Sequence, residues 1–197
     1  MSALPLWLAS QSPRRRQLLR RLRRPFRVVR STYRETFRRA ESPARNAMRN
    51  ARGKARRARV PRGARGVVLG ADTFLYFRGR LIGKPKTLRQ ARRMLDTLNG
   101  RRHWVYTGVC LRDLGTGCER LGWARSRVIF RRVPGPTLDA LLAEISPLDK
   151  AGGYAVQKDR GRLIARVEGS WTNVMGLPLE LLRRELRLFL GRGARRA

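Results

Sequence analysis

The chain has 197 residues, 42% of them hydrophobic, so it is long enough to bury a core and too apolar for global disorder. Its 47 lysine and arginine residues against 13 aspartate and glutamate residues give a formal net charge of +34, which attracts phosphate-bearing ligands but selects no fold. No apolar run approaches the roughly 18 residues of a membrane span, and the N-terminal apolar run is too short for a signal peptide. The sequence therefore indicates a soluble, cytoplasmic protein.

Alternating apolar patterns and turn residues predict an α/β fold, with one domain over residues 1–191 and a frayed basic tail at 192–197. The expected strands cover residues 6–9, 26–29, 67–72, 74–77, 81–82, 104–111, 121–133 and 163–167. The expected helices cover residues 13–22, 43–58, 88–98, 137–145 and 177–190. Ser12 and Thr137 are predicted helix caps, and Asn99-Gly100 is a predicted helix stop.

Arginine dominates the basic residues, because only five of the 47 are lysines. Nucleic-acid binding would use such a surface, since cationic side chains release counterions from phosphates. Compositional drift toward arginine on solvated faces is the alternative, and the even spread along the chain favours drift. If drift has replaced most lysines, the survivors mark positions that need a compact ammonium. They are Lys54, Lys84, Lys86, Lys150 and Lys158.

The cysteines and the histidine exclude several kinds of site. Cys110 and Cys118 lack metal-binding spacing; they could face each other across a hairpin, but two buried free thiols are the preferred interpretation. His103 is the only histidine, which excludes a multi-histidine metal site and disfavours Ser-His-Asp and Cys-His sites. A general base must then be a carboxylate, and metal ligands must be mainly oxygen. This favours Mg²⁺ or Mn²⁺ over zinc.

Two segments of the first half carry candidate phosphate chemistry. Residues 12–16, Ser-Pro-Arg-Arg-Arg, would combine a helix N-terminus with a hydroxyl and forked guanidinium groups, although an ordinary capped helix explains the same residues. Asp72 ends the apolar run that starts at Val67, and sites in open α/β sheets lie beyond the carboxyl ends of buried strands. Its carboxylate could bind a cation or activate water, or could simply cap a turn. Thr73 could bind a base or favour a strand.

Two later segments add candidates. Gly83-Lys84-Pro85-Lys86 follows the predicted hairpin, and its rigid turn would hold the Lys84 ammonium near Asp72, where it can neutralise phosphate charge. A solvated lysine is the alternative. In residues 147–157, Asp149 and Lys150 are expected to pair, and the Gln157 amide could bind a pyrimidine edge or lie on the surface.

In chain order, these segments resemble the Maf family of nucleotide pyrophosphatases. The resemblance runs from residue 6 to residue 182 and rests on residues 8–15, 71–73, 83–86, 102–109, 147–152, 168–170 and 176–179. It implies a Maf/ITPase-like two-lobed fold around an elongated mixed β-sheet, with a cleft between the lobes, and a homodimer. It also implies a divalent-metal-dependent cytoplasmic enzyme that hydrolyses a nucleoside triphosphate to the monophosphate and pyrophosphate.

The resemblance carries roles over to matched positions. Asp72 would accept the proton of the attacking water and would hold metal together with Glu35. Five residues would line the cleft: Ser12, Arg15, Lys54, Lys84 and Gln157. Arg14, Thr73 and Gln157 resemble the dTTP/UTP type rather than the branch similar to 7-methyl-GTP pyrophosphatases, which implies a house-cleaning role against modified pyrimidine triphosphates.

The chain departs from the family pattern around the metal. Only Glu35 remains of an acidic stretch after the second strand, and Gly53 replaces a glutamate beside Lys54. These changes put metal affinity in question. A basic nucleic-acid-binding or cell-division regulatory protein on the same scaffold stays as the alternative, together with non-specific polyanion binding through the arginine-rich surface.

Overall fold

The computed structural model describes residues 4–193 and the side chains up to residue 191. It is a mixed α/β structure, which confirms the predicted fold class. The strands are β1 (Leu6–Leu8), β2 (Phe26–Val28), β3 (Val67–Phe77), β4 (Arg80–Ile82), β5 (Arg102–Asp113), β6 (Glu119–Phe130) and β7 (Ile164–Glu168). The α-helices are α1 (Pro13–Arg20), α2 (Pro43–Arg56), α3 (Leu88–Leu98), α4 (Gly135–Ala143), α5 (Trp171–Val174) and α6 (Leu179–Gly193). Three short 3₁₀ turns occupy Pro147–Asp149, Ala151–Gly153 and Val156–Lys158.

The seven strands form one sheet in the order β2-β1-β3-β5-β6-β7, and β4 pairs with β3 outside that path. β2, β1 and β3 run parallel, whereas the pairs from β3 to β7 are antiparallel. A large apolar core fills the sheet face that α1, α3, α4 and α6 cover. Helix α2 packs on the other face, against β3, β5 and β6. Within residues 4–193 no helix is long and apolar enough to cross a lipid bilayer.

Helix α2 approaches the sheet unusually closely because two glycines face it. A Cβ added to Gly70 would lie 2.1 Å from the Ala51 carbonyl oxygen, and one added to Gly108 would lie 2.3 Å from the Ala47 carbonyl oxygen. The predicted small-residue face of α2 therefore packs directly against the backbone of β3 and β5 at these glycines. The close contact brings the polar side chains of α2 within hydrogen-bond reach of β3.

The central strand β3 is longer than predicted. Along β3, β1 pairs only with Val67–Leu69, and β4 pairs only with Leu75–Phe77. Residues 70–74 consequently have a strand partner, β5, on one side only. The sequence prediction placed Asp72 at a strand end, and this was wrong, because extended residues continue to Phe77. The strand that ends there is β1, so the opening beyond its carboxyl end faces the middle of β3.

Other predicted details also need correction. Ser12 stands at the cap position of α1 but its side chain accepts no capping hydrogen bond. Thr137 is not a cap, because α4 already begins at Gly135 after Pro134. Cys110 is buried and free as expected, but Cys118 is exposed, since it lies in the turn between β5 and β6. The backbone of α6 reaches Gly193, and the rest of the predicted tail lies outside the described residues.

Candidate functional site

The opening between β1 and β4 gathers most of the predicted site residues. Asp72 and Thr73 lie on β3 in this opening, and because successive strand residues alternate, they point to opposite faces of the sheet. Helix α1 begins directly after β1 and brings Ser12, Arg14 and Arg15 to its rim. Side chains from both faces of the sheet can therefore reach one cleft through this opening.

Asp72 is held by cations and amides on the α2 face. It is only 2% exposed. Lys54 Nζ lies 2.7 Å from its Oδ1 and 2.5 Å from Glu35 Oε1, so one ammonium bridges the two carboxylates. Asn50 Nδ2 donates to Asp72 Oδ2 at 2.9 Å. The structure thus unites Asp72, Glu35 and Lys54 as the resemblance implied and adds Asn50.

The surroundings of Asp72 keep it ionised. Burial alone would raise the pKa of the Asp72 carboxyl. The charge and hydrogen bond of Lys54, the charge of Arg15 and the hydrogen bond from Asn50 outweigh burial, so the pKa of Asp72 lies below its ordinary value. A carboxylate that stays ionised can accept a proton or bind a cation.

Arg15 spans the rim of the opening with three different acceptors. Its Nε donates to the Gly176 carbonyl at 2.8 Å, Nη1 to Ser10 Oγ at 3.2 Å and Nη2 to Thr73 Oγ1 at 3.0 Å. Burial lowers the pKa of Arg15, although the charges of Asp72 and Glu35 oppose this effect. The guanidinium is therefore fixed in place beside the carboxylates, and its position does not depend on a ligand.

A second arginine marks the other side of the cleft. Arg14 Nη1 lies 3.4 Å from Asp149 Oδ2, and its Nη2 donates to the Asp149 carbonyl at 3.1 Å. Lys150 also pairs with Asp149, which confirms the predicted pair, and donates to the Ser146 carbonyl. Asp149 thus ties α1 to the 3₁₀ turn Pro147–Asp149. An arginine held on both nitrogens presents a fixed edge to a ligand.

Two adjoining cavities fill the cleft. The larger, about 340 Å³, lies against Glu35, Lys54 and Tyr33. The smaller, about 70 Å³, lies against Arg14, Thr73 and Gln157. Both are also lined by Ser12, Arg15, Lys84 and Asp149. Lys84 is exposed at the junction, and partial loss of its water lowers its pKa against the opposing charge of Glu35.

The geometry leaves one predicted residue away from the cavity wall. Asp72 lines neither of these two cavities, because Lys54 lies between it and Glu35. Within the described residues, no group of three or more histidine, cysteine, aspartate or glutamate side chains could hold a metal ion. A cation bound here would have Asp72 and Glu35 as its protein carboxylates and would need further oxygen ligands from water or substrate.

Comparison with known proteins decides the family. The family described as Maf-like protein matches residues 5–189. The chain belongs to the Maf-like family. A protein of Moorella thermoacetica named dTTP/UTP pyrophosphatase is 43% identical over 184 residues, which cover 93% of this chain and 94% of the relative. Proteins with the same name are 43% identical in Syntrophus aciditrophicus (88% and 84% covered) and 38% identical in Thermococcus kodakarensis (90% and 93%).

The Maf-like chain has site residues that sequence reasoning missed. Asn50 touches Asp72, Tyr33 touches Asn50, and Gly176 accepts from Arg15. A signal for Asn50 was present, because two asparagines, Asn46 and Asn50, interrupt the small apolar face of α2 one turn apart. Buried polar residues on such a face usually have a specific partner. Gly176 lies in the segment 176–179 that carries the resemblance, but it acts through its backbone carbonyl, so its residue type did not indicate the contact with Arg15.

Proposed function

We propose that the chain is a nucleoside triphosphate pyrophosphatase that converts dTTP and UTP to the monophosphate and pyrophosphate. The observation that carries the proposal is the bridged pair of Asp72 and Glu35 on Lys54, beside a cleft rimmed by Arg15 and Lys84. The names of the relatives quoted above support the same substrates. None of those names refers to nucleic-acid binding or cell division, so they do not favour a regulatory protein.

In the proposed reaction, water attacks the α-phosphorus in line with the bond to the α–β bridging oxygen. That bond breaks, and pyrophosphate leaves with its electron pair. Asp72 takes the proton of the attacking water, which its lowered pKa permits at neutral pH. Because Lys54 lies between Asp72 and the cavity, its ammonium has to shift before water can reach Asp72.

The cations of the cleft would bind the triphosphate. Arg15 and Lys84 line both cavities, and Lys54 lines the larger one, so together they can neutralise the charge that develops on the phosphates. Ser12 adds a hydroxyl at the first turn of α1. We place the phosphates in the larger cavity for this reason.

The smaller cavity would take the pyrimidine. Arg14, Thr73 and Gln157 line it together, as the resemblance to dTTP/UTP enzymes implied. The Gln157 amide can both donate to and accept from a pyrimidine edge. Modified pyrimidine triphosphates are included in the proposal, as part of a house-cleaning role.

A divalent cation, Mg²⁺ or Mn²⁺, is part of the proposal. Its donors here would be the Glu35 and Asp72 carboxylates once the Lys54 ammonium that bridges them has shifted, and hard oxygen ligands suit either ion. Mg²⁺ usually binds one or two carboxylates plus substrate phosphates, so two carboxylates are sufficient. The cation would screen the phosphate charge.

The test is a panel of nucleoside triphosphates with Mg²⁺ and with Mn²⁺, in which pyrophosphate and inorganic phosphate are measured separately. We expect pyrophosphate from dTTP and UTP, with much slower turnover of ATP and GTP. Release of inorganic phosphate instead would contradict attack at the α-phosphorus. Equal turnover of all four nucleotides would contradict the assignment of Arg14, Thr73 and Gln157 to pyrimidine selection.

A separate surface supports polyanion binding. The first 34 residues contain ten arginines and no aspartate or glutamate. Four of these arginines line a groove of about 400 Å³ between α1 and β2, namely Arg16, Arg20, Arg23 and Arg24. We expect polynucleotide binding here to weaken steeply with salt. A polynucleotide affinity that does not change with salt concentration would contradict electrostatic binding at this groove.

The remaining expectations belong to the same proposal. The enzyme would be cytoplasmic, with residues 1–191 forming one two-lobed domain. It would form a homodimer, for which exposed Leu121 and Trp123 on β6 are the best supporting feature. β7 pairs only with Arg127–Phe130, the last four residues of β6, so Leu121 and Trp123 have no strand partner on that edge within the described residues. Light scattering of the purified chain would measure its mass in solution.

A further inference from the structure

Asn50 lies behind the proposed catalytic carboxylate and is not part of either cavity. Its side chain is completely buried on α2. Asn50 Nδ2 donates to Asp72 Oδ2, while Lys54 holds the other oxygen, Oδ1. Both oxygens of Asp72 are therefore fixed from one side of the sheet, which defines the orientation of the carboxylate plane.

The orientation of the Asn50 amide follows from its other partners. The backbone N–H of Thr36 donates to Asn50 Oδ1 at 3.2 Å, and the Tyr33 hydroxyl lies 3.3 Å from the same oxygen. A backbone N–H can only donate, so the atom facing Thr36 must be the oxygen. The amide nitrogen then faces Asp72 and can only donate to it. Asn50 accordingly favours the ionised carboxylate.

Tyr33 joins the same unit through Gly53. A Cβ added to Gly53 would lie 2.2 Å from the Tyr33 ring, so the ring occupies the space that a side chain at this position would need. The loop that carries Tyr33 and Glu35 is thereby seated on α2. Asn50 connects this loop to Asp72, and Lys54 connects Glu35 to Asp72. Asp72 is thus connected to the loop that bears Glu35 by two separate residues, Asn50 and Lys54.

We propose that Asn50 is a positioning residue for the reaction: its amide holds the Asp72 carboxylate in the orientation for proton transfer and couples it to the loop that bears Glu35. The inference rests on the proposed function. Loss of a hydrogen-bond partner of a metal-ligating side chain typically costs 10- to 100-fold in metal affinity or activity, and Asp72 is one of the two proposed ligands.

The chain offers a matched control one turn earlier on the same helix. Asn46 is also completely buried. It accepts from the Arg38 N–H at 2.8 Å and donates to the carbonyls of Arg38 and Glu41 at 2.9 and 3.1 Å. It anchors the same loop but makes no hydrogen bond to Asp72. Replacing either asparagine removes a buried amide that hydrogen-bonds to the loop. Only the replacement of Asn50 also removes a hydrogen bond to Asp72.

The experiment compares Asn50→Ala, Asn50→Leu and Asn46→Ala with the wild-type chain. Leucine fills the volume of asparagine without donating, so it covers the case in which the alanine variant fails to fold. We expect both Asn50 variants to lower kcat for dTTP about 10- to 100-fold, with KM changed by less than about threefold. Asn46→Ala should lose stability but keep kcat within about threefold of wild type.

Either of two kinetic results would overturn the inference: an unchanged kcat in the Asn50 variants, or an equal loss of kcat in Asn46→Ala. If the wild-type chain releases no pyrophosphate, the proposed function fails. The position of the Asp72 carboxylate then tests the inference about Asn50. Crystal structures of wild type and Asn50→Leu should show the Asp72 carboxylate rotated in the variant. An unmoved carboxylate would refute the positioning role whatever the activity.

Discussion

Replacing Gly70 by alanine tests the link between the sheet and the site. A strand glycine is ordinarily destabilising, so its replacement by alanine should stabilise by about 0.5–1 kcal/mol where space allows. At Gly70 the new Cβ would lie 2.1 Å from the Ala51 carbonyl oxygen and 2.8 Å from the Ala55 nitrogen, both of them backbone atoms of α2. The helix must therefore move by roughly 1 Å to restore an ordinary contact.

That movement has two expected consequences. Overpacking of this kind costs about 1–3 kcal/mol. Gly70→Ala should therefore destabilise the protein, whereas alanine at an unobstructed strand glycine would stabilise it. Asn50 and Lys54 travel with α2, and their bonds to Asp72 lengthen. A displacement near 1 Å at a reacting group can cost about 100-fold in rate.

The assay pairs urea unfolding with steady-state pyrophosphate release. Gly191→Ala is the matched control, because a Cβ there meets no described atom outside its own helix within 4 Å and the residue lies in α6. Alanine at residue 191 should stabilise by about 0.5–1 kcal/mol through helix propensity, with activity unchanged. If Gly70→Ala is as stable and active as wild type, the close approach of α2 does not position the site.

Three further predictions concern buried charges and thiols. Lys54→Met leaves Asp72 without its cation and should cost about 3–5 kcal/mol in urea unfolding, most of which Asp72→Asn should restore in the double variant; additive losses would contradict the pairing. Burial lowers the pKa of His103 to about 3, below the roughly 6.5 of an unfolded histidine, so the unfolded state binds the extra proton and stability falls as pH drops below 6.5. From pH 7 to pH 5 this should amount to about 2 kcal/mol, and a His103→Gln variant with the same pH dependence as wild type would contradict it. A thiol reagent should label exposed Cys118 in the native protein but not Cys110, whose pKa burial raises to about 12; two labelled thiols would refute this.

The sequence predicted most elements because their patterns are local. The apolar run from Val67, the small residues of α2 and the stop at Asn99-Gly100 each report on immediate neighbours, and all three correspond to observed structure. The length of β3 could not be predicted in this way. Its continuation past Asp72 depends on pairing with β5, from Thr73 with Thr107 to Tyr76 with Trp104, and these partners are distant in the sequence.

The site was predictable in its residue types but not in its connections. Asp72 was a candidate from its strand and Lys54 from the scarcity of lysine, whereas Glu35 was named from the resemblance. The structure brings the three together. The interposed position of Lys54 and the amide behind Asp72 depend on how deeply α2 sits on Gly70 and Gly108, which is a property of packing. The exposure of Cys118 likewise depends on the position of the turn between β5 and β6.

The central claim is that this cleft cleaves the α–β bond of pyrimidine nucleoside triphosphates with Asp72 as the base. The most direct test measures pyrophosphate release from dTTP and UTP by wild type and by Asp72→Asn, at saturating Mg²⁺ or Mn²⁺. Asparagine preserves the shape of the side chain but cannot take the proton, so kcat should fall by about 100-fold or more. Equal rates in the two proteins would contradict the account.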